Sequence, residues 1–166
     1  TAVEIKNESR TCYASGLLGL TQAEKDITQL DKCLIAGSWI TDEDYNVVIL
    51  PDKLADAIGI TSGDVGNSNV VIFGQTFLVK GIFDSEKMSK IKDLDDEFLT
   101  PVNFASLPSK ELDKLKMEQK AQIFSSVEKL ESFIHVEPSN IPIVPVKATK
   151  DFKGTLQSVA VKFYAG

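Results

Sequence analysis

A chain of 166 residues is long enough for one domain to bury a sizeable core without metals or a dense disulfide framework. Its composition, 43% hydrophobic and 25% charged, is that of ordinary globular material. The net charge of −6 speaks against nucleic acid as a partner, because phosphate binding needs clustered Lys and Arg.

No apolar run approaches the roughly 18 residues that a membrane helix requires. The opening Thr1-Ala2-Val3-Glu4-Ile5-Lys6 lacks the apolar core of a secretory signal. The chain begins without Met and stops on Gly166 directly after a strand-like run, so it reads as a piece of a longer protein. Its two cysteines, Cys12 and Cys33, fit either free buried thiols or one disulfide, and their spacing is wrong for a zinc or redox CxxC pair.

In chain order, Ala2 to Ile5 alternates weakly and reads as a strand. Cys12 to Leu20, with Gly16 and Gly19 among leucines, reads as one buried strand with close backbone neighbours. Thr21 and Glu24 have capping-box spacing, and a brief helical turn or loop follows over Asp26 to Leu30. Cys33 to Ala36 is apolar and ends at Gly37, and Thr41-Asp42-Glu43-Asp44 is a polar turn headed by an N-cap candidate.

The continuous β-branched run Val47-Val48-Ile49-Leu50 predicts a strand buried on both faces. A short helix follows, with Leu54, Ala55 and Ile58 on one face and Gly59 just past its end. Thr61 to Asn69 is a loop by composition, and the runs Asn69–Phe73 and Gln75–Phe83 predict a tight hairpin across Gly74-Gln75.

The charge-rich stretch 84–96 carries Met88, Ile91 and Leu94 at i, i+3, i+6 and fits a solvated loop or a short amphipathic helix. Val102-Asn103-Phe104 resumes an extended run at a sheet edge. Ser106 or Ser109 caps a longer helix whose Leu112, Leu115, Ile123, Val127, Leu130 and Ile134 share one face, with a break near residue 120. Pro138-Ser139-Asn140 is a turn, and the prolines of Ile141 to Val146 confine that strand to an edge or a strand end. Ser158 to Phe163 is a final strand. The order of elements favours an α+β fold with a mixed or antiparallel sheet, one hairpin, several short helices and one longer helix, all in a single domain over 1–166.

Residues suited to chemistry are sparse. The lone histidine, His135, lies between Ile134 and Val136 and has no GxSxG nucleophile motif to serve, so it reads as a surface or strand-end histidine. Asp93, Asp95, Asp96 and Glu97 cluster but lack the spacing and the glycine of a calcium loop, which leaves them a hydrated acidic group. Gly59 to Gly66 around Asp64 lacks the Lys and helix that follow a phosphate-cradling loop. Trp39 reads as a core or interface aromatic rather than a ligand platform. The sequence therefore assigns no catalytic, cofactor-binding or metal-binding residue, and no cofactor.

The segment from Gly37 to Phe104 resembles a known family. Gly37-Ser38-Trp39-Ile40, the Val47–Leu50 run with its Leu-Ala helix, and the hairpin residues Gly74, Phe77, Val79 and Gly81 are similar to the MacB-like periplasmic core domain of FtsX-family ABC transporter permeases. Ser38 stands where that family commonly has Arg. A weaker second block, Ile143-Val144-Pro145 followed by Gly154 to Val161, resembles the family's return strand, and Leu107 to Glu137 matches nothing in it.

The resemblance implies a non-catalytic, extracytoplasmic domain of a membrane-anchored permease. Its partners would be its own transmembrane helices and a separate ATP-binding subunit, with a second permease copy or a periplasmic protein as further candidates. Relatives of that kind serve efflux, lipoprotein release or cell-envelope processes. The alternative expectation is a stand-alone periplasmic ligand-binding or adaptor domain, and a third is a hydrolase using His135 or the Asp93 cluster.

Overall fold

The computed structural model describes residues 2–8, 10–92, 98–100 and 135–152. They form an α+β fold around one eight-stranded mixed sheet. The chain runs through strands β1 (Val3–Asn7), β2 (Arg10–Ala14) and β3 (Leu18–Leu20), helix α1 (Glu24–Thr28), strands β4 (Leu34–Gly37) and β5 (Val47–Pro51), and helix α2 (Asp52–Ile58). Strands β6 (Asn69–Ile72) and β7 (Gln75–Phe83), helix α3 (Ser85–Met88) and strand β8 (Ile143–Pro145) complete it. The spatial order is β2-β1-β6-β7-β5-β8-β3, with β4 also paired to β7. The expected longer helix, the extended run at 102–104 and the final strand at 158–163 lie outside the described residues.

Strand β5 is the axis of the core. Every residue from Val47 to Pro51 is buried, because β5 runs between β7 and β8 with packing on both faces. Val48 and Leu50 point into one apolar layer with Leu54, Ala55 and Ile58 of α2. Val47 and Ile49 point into the other, with Trp39, Ile40, Phe83 and Met88. Removing a buried leucine such as Leu50 from such a layer costs about 2–5 kcal/mol.

Helix α2 stops where its sequence says it must. Gly59 adopts φ +76, and the next amide, Ile60 N–H, donates to the Ala55 carbonyl at 2.8 Å, so the last turn closes in a Schellman motif. The hairpin β6–β7 also forms, but its turn residues are Phe73 and Gly74 rather than Gly74 and Gln75, since Ile72 pairs with Gln75. Both turn residues have positive φ, +50 and +80, as a primed turn of two residues demands. Phe73 tolerates this because its ring packs on Phe152 at 4.9 Å, and Phe152 in turn meets the buried Phe77 at 6.1 Å.

Two other expectations change in the folded chain. The single strand over Cys12 to Leu20 is two: β2 pairs antiparallel with β1, and β3 runs parallel to β8. Between them Ser15 N–H donates to the Asn140 carbonyl at 2.9 Å, which draws the chain out of the first ladder and toward the second. The capping box at Thr21 and Glu24 does not form, because α1 begins two residues late, with Ala23 as an N-cap that makes no side-chain bond. Strand β8 lies inside the sheet between β5 and β3, with Pro142 just before it and Pro145 as its last residue.

One close approach binds these parts together. Strand β7 carries an extra residue opposite β5, so that Val48 pairs with Val79 and Ile49 with Gly81, leaving Lys80 as the bulge. Gly37, at the end of β4, sits against this bulge with φ +84, and a Cβ there would lie 2.1 Å from the Lys80 carbonyl oxygen and 2.7 Å from Gly81 Cα. Both neighbours are backbone, so neither can give way. Gly37→Ala is expected to destabilise the fold by about 3 kcal/mol, combining left-handed strain with overpacking. Gly63→Ala, whose nearest neighbour would be Thr61 Oγ1 at 3.7 Å, should stay within about 0.5 kcal/mol. Urea unfolding of the two variants, followed by the emission of the lone tryptophan, distinguishes them.

Candidate functional site

One concavity lined by described residues lies where α3 meets the 3-10 turn Pro138–Asn140. Helix α3 is set by Asp84, whose carboxylate accepts from Lys87 N–H at 2.9 Å and caps the first turn. That places Met88, at 1% exposure, as the floor of the hollow. Phe98, Leu99, Thr100, His135 and Val136 line its sides, and its volume is about 170 Å³. Pockets for small molecules run to about 300–1,000 Å³, so this one holds a group the size of a single side chain.

His135 is half-buried there and held on two sides. Its Nδ1 donates to the Thr100 carbonyl at 2.6 Å, and its ring meets Phe98 edge-on at 5.5 Å. Because a carbonyl only accepts, the Nδ1 carries a proton. A triad needs a carboxylate behind the imidazole and a hydroxyl in front of it. Here the group behind is a backbone carbonyl. Of the two hydroxyl residues lining the hollow, Ser89 and Thr100, Ser89 donates instead to the Glu86 carbonyl at 2.7 Å. Glu137 accepts from Ser139 Oγ at 3.3 Å.

The remaining candidates separate. Asp93, Asp95, Asp96 and Glu97 lie outside the described residues. Asp64 is turned back on its own loop, accepting from Thr61 N–H at 2.8 Å and Thr61 Oγ1 at 2.6 Å in a capping box. Those bonds hold its carboxyl below the ordinary value, and they occupy the group a bound ligand would have to meet. Trp39 is in the core at 8% exposure, with its Nε1 unpaired. Among the described residues, no group of three or more His, Cys, Asp or Glu side chains is placed to hold a metal ion. No helix among them is long and apolar enough to cross a membrane.

Cys12 and Cys33 are free thiols on opposite faces of the sheet. Cys12 packs against the α2 layer and Cys33 belongs to the Trp39 layer. Burial pushes both thiols up, and for Cys33 the nearby Asp84 adds to the effect. Two thiols should therefore titrate in the unreduced, denatured protein, and both should react slowly in the folded one; a count of zero would place a disulfide between them.

One convergence of charge among the described residues is structural. Asp44 accepts from Thr41 N–H at 2.7 Å and Thr41 Oγ1 at 2.8 Å, and it pairs with Lys80, the bulge residue of β7. Both side chains of the ion pair are largely buried, at 18% and 17% exposure. Burial pushes the Asp44 carboxyl up, but the bonds from Lys80 and Thr41 together outweigh it and leave its pKa below the ordinary value. A carboxyl whose folded pKa is depressed adds stability above its unfolded value, about 3.9, and loses it as pH falls through the folded value. Stability should thus drop below about pH 4, and Asp44→Asn should flatten that limb while lowering stability at pH 7; urea midpoints measured across pH 2–7 check both.

The sequence placed an N-cap candidate at the head of the Thr41–Asp44 turn but passed over the capping box of Thr61 and Asp64, although both share the spacing Thr-x-x-Asp. No family model matches the chain, and no curated protein matches it either.

Proposed function

We propose that the chain is an extracytoplasmic, non-catalytic domain of an FtsX-family ABC transporter permease, similar to the MacB periplasmic core domain. The observation that carries this reading is the structural work done by the residues of the resemblance. Gly37 and Gly81 allow the close approach at the bulge, Gly74 completes the hairpin turn, and Trp39, Phe77 and Val79 are buried. They belong to one interlocked unit from β4 to β7 rather than to a pocket.

A unit locked in this way moves as a rigid body, which is what a domain relaying motion needs. In this reading it contacts a substrate or partner protein outside the cytoplasm and transmits movement driven by ATP hydrolysis in a separate subunit. Transmembrane helices of its own protein tether it.

The test is made on the whole gene product in its native cells. The protein should remain in the membrane until detergent is added and bring an ATP-binding subunit with it on purification. This domain should also be digested by protease added from the outer side. Release in soluble form without such a subunit would overturn the reading in favour of a stand-alone domain.

A further inference from the structure

The polar turn at residues 41–45 is tied in two directions at once. Toward the sheet, the Asp44 carboxylate accepts from Thr41 N–H and Thr41 Oγ1 and pairs with Lys80 at the bulge of β7. Toward the end of the described chain, Asp42 and Tyr45 reach the 3-10 helix Val146–Phe152, which directly follows β8. The Asp42 carbonyl accepts from Lys147 Nζ, and Tyr45 Oη donates to the Asp151 carboxylate at 2.9 Å. Asp42 N–H also donates to Gln22 Oε1 at 2.9 Å.

The 3-10 helix lies as a strap over the neighbouring strand. A Cβ on Gly19 of β3 would meet Thr149 Cγ2 at 2.6 Å and the Val146 Cα at 3.3 Å. Ala148 is buried in the α2 layer, and Phe152 packs on Phe73 and Phe77. Val146, Lys150 and Asp151 stand in solvent. A 3-10 helix has poorer hydrogen-bond geometry than an α-helix and little stability of its own, so its position depends on what fastens it. Two of its fastenings end on the turn, and Asp44 sets the shape of that turn.

From this chain of contacts we infer that the turn is a latch. With Asp44 charged and paired to Lys80 it holds the strap down; with that pair neutralised, turn and strap lift together while the sheet stays folded. Among the described residues, Asp44 faces Lys80 from β7, its own turn brings Asp42, Glu43 and Tyr45, and the strap brings Lys147, Lys150 and Asp151. Burial pushes the Asp44 carboxyl up, and the bonds from Lys80 and Thr41 more than reverse this. The latch is therefore shut at neutral pH and opens as pH falls through the lowered value. This is a local release, distinct from the loss of global stability in acid, and it is independent of the permease reading.

Backbone amide spectra recorded from pH 7 to pH 3 test it. They are taken in an Asp151→Asn background, which removes the strap's own carboxyl and keeps an acceptor for Tyr45. The amides of residues 147–150 should shift with the midpoint of the Asp44 carboxyl, and adding Asp44→Asn should abolish that shift. Strap amides that stay still while Asp44 titrates, or that move unchanged in the Asp44→Asn variant, would overturn the inference.

A second measurement needs no acid. Lys147→Met with Tyr45→Phe cuts both ties at neutral pH, and hydrogen exchange at residues 149–151 should quicken about tenfold while the amides of Val48 and Leu50 keep their rates. Equal acceleration in both places would mean that strap and sheet open as one unit, and no acceleration would mean that the ties hold nothing. Either result overturns the latch.

Discussion

The structure depends on one backbone contact: Gly37 set against the Lys80 bulge of β7. Without the bulge, β7 would keep a strict alternation, and Ile82 and Phe83 would exchange faces. With it, Val79 and Ile82 both enter the α2 layer while Phe83 enters the Trp39 layer. The contact also turns the Lys80 amine toward Asp44, so the polar turn that begins at Thr41 is fastened to the strand at its irregular position. A missing side chain at residue 37 thus sets the register on which both apolar layers rely.

Around this point β7 is bonded along both edges. On one side it runs beside β5; on the other it meets β6 first and β4 last. The gap between β6 and β4 is closed by the loop after α2, where Gly66 N–H donates to the Val79 carbonyl at 2.8 Å and Val79 N–H donates to the Ser68 carbonyl at 2.9 Å. The capping box of Thr61 and Asp64 shapes that loop, so a segment that is polar by composition has a fixed task in the sheet. An irregular loop with satisfied backbone groups serves as well as a strand there.

Much of this was legible in the sequence, and the reasons are physical. β5 announced itself because a strand buried on both faces has no reason to alternate, and α2 because its three apolar residues share a face and Gly59 ends it. The hairpin was legible to within one residue; Phe73 hid the true turn, since an aromatic residue at positive φ is uncommon and is supported here by Phe152, far away in sequence. What stayed hidden was decided by tertiary partners. Nothing local to Cys12–Leu20 tells that Asn140 will divide it into two strands. Nothing in a lone histidine tells that its partner will be the Thr100 carbonyl. The turn at Thr41–Asp44 was legible as a capped polar turn, whereas the same Thr-x-x-Asp spacing at Thr61–Asp64 was passed over because no apolar helix follows it.

The way the strands are joined also fixes how the molecule bears load. A pull directed along β7 must shear ladders on both of its edges at once, and many hydrogen bonds then share the force. β3 is held to β8 by a three-residue parallel pairing, Leu18 to Leu20 against Ile143 to Pro145, and the ladder between β8 and β5 pairs Ile143 with Ile49. Among the described residues, tension would therefore meet more hydrogen bonds along β7 than at the seam of β8.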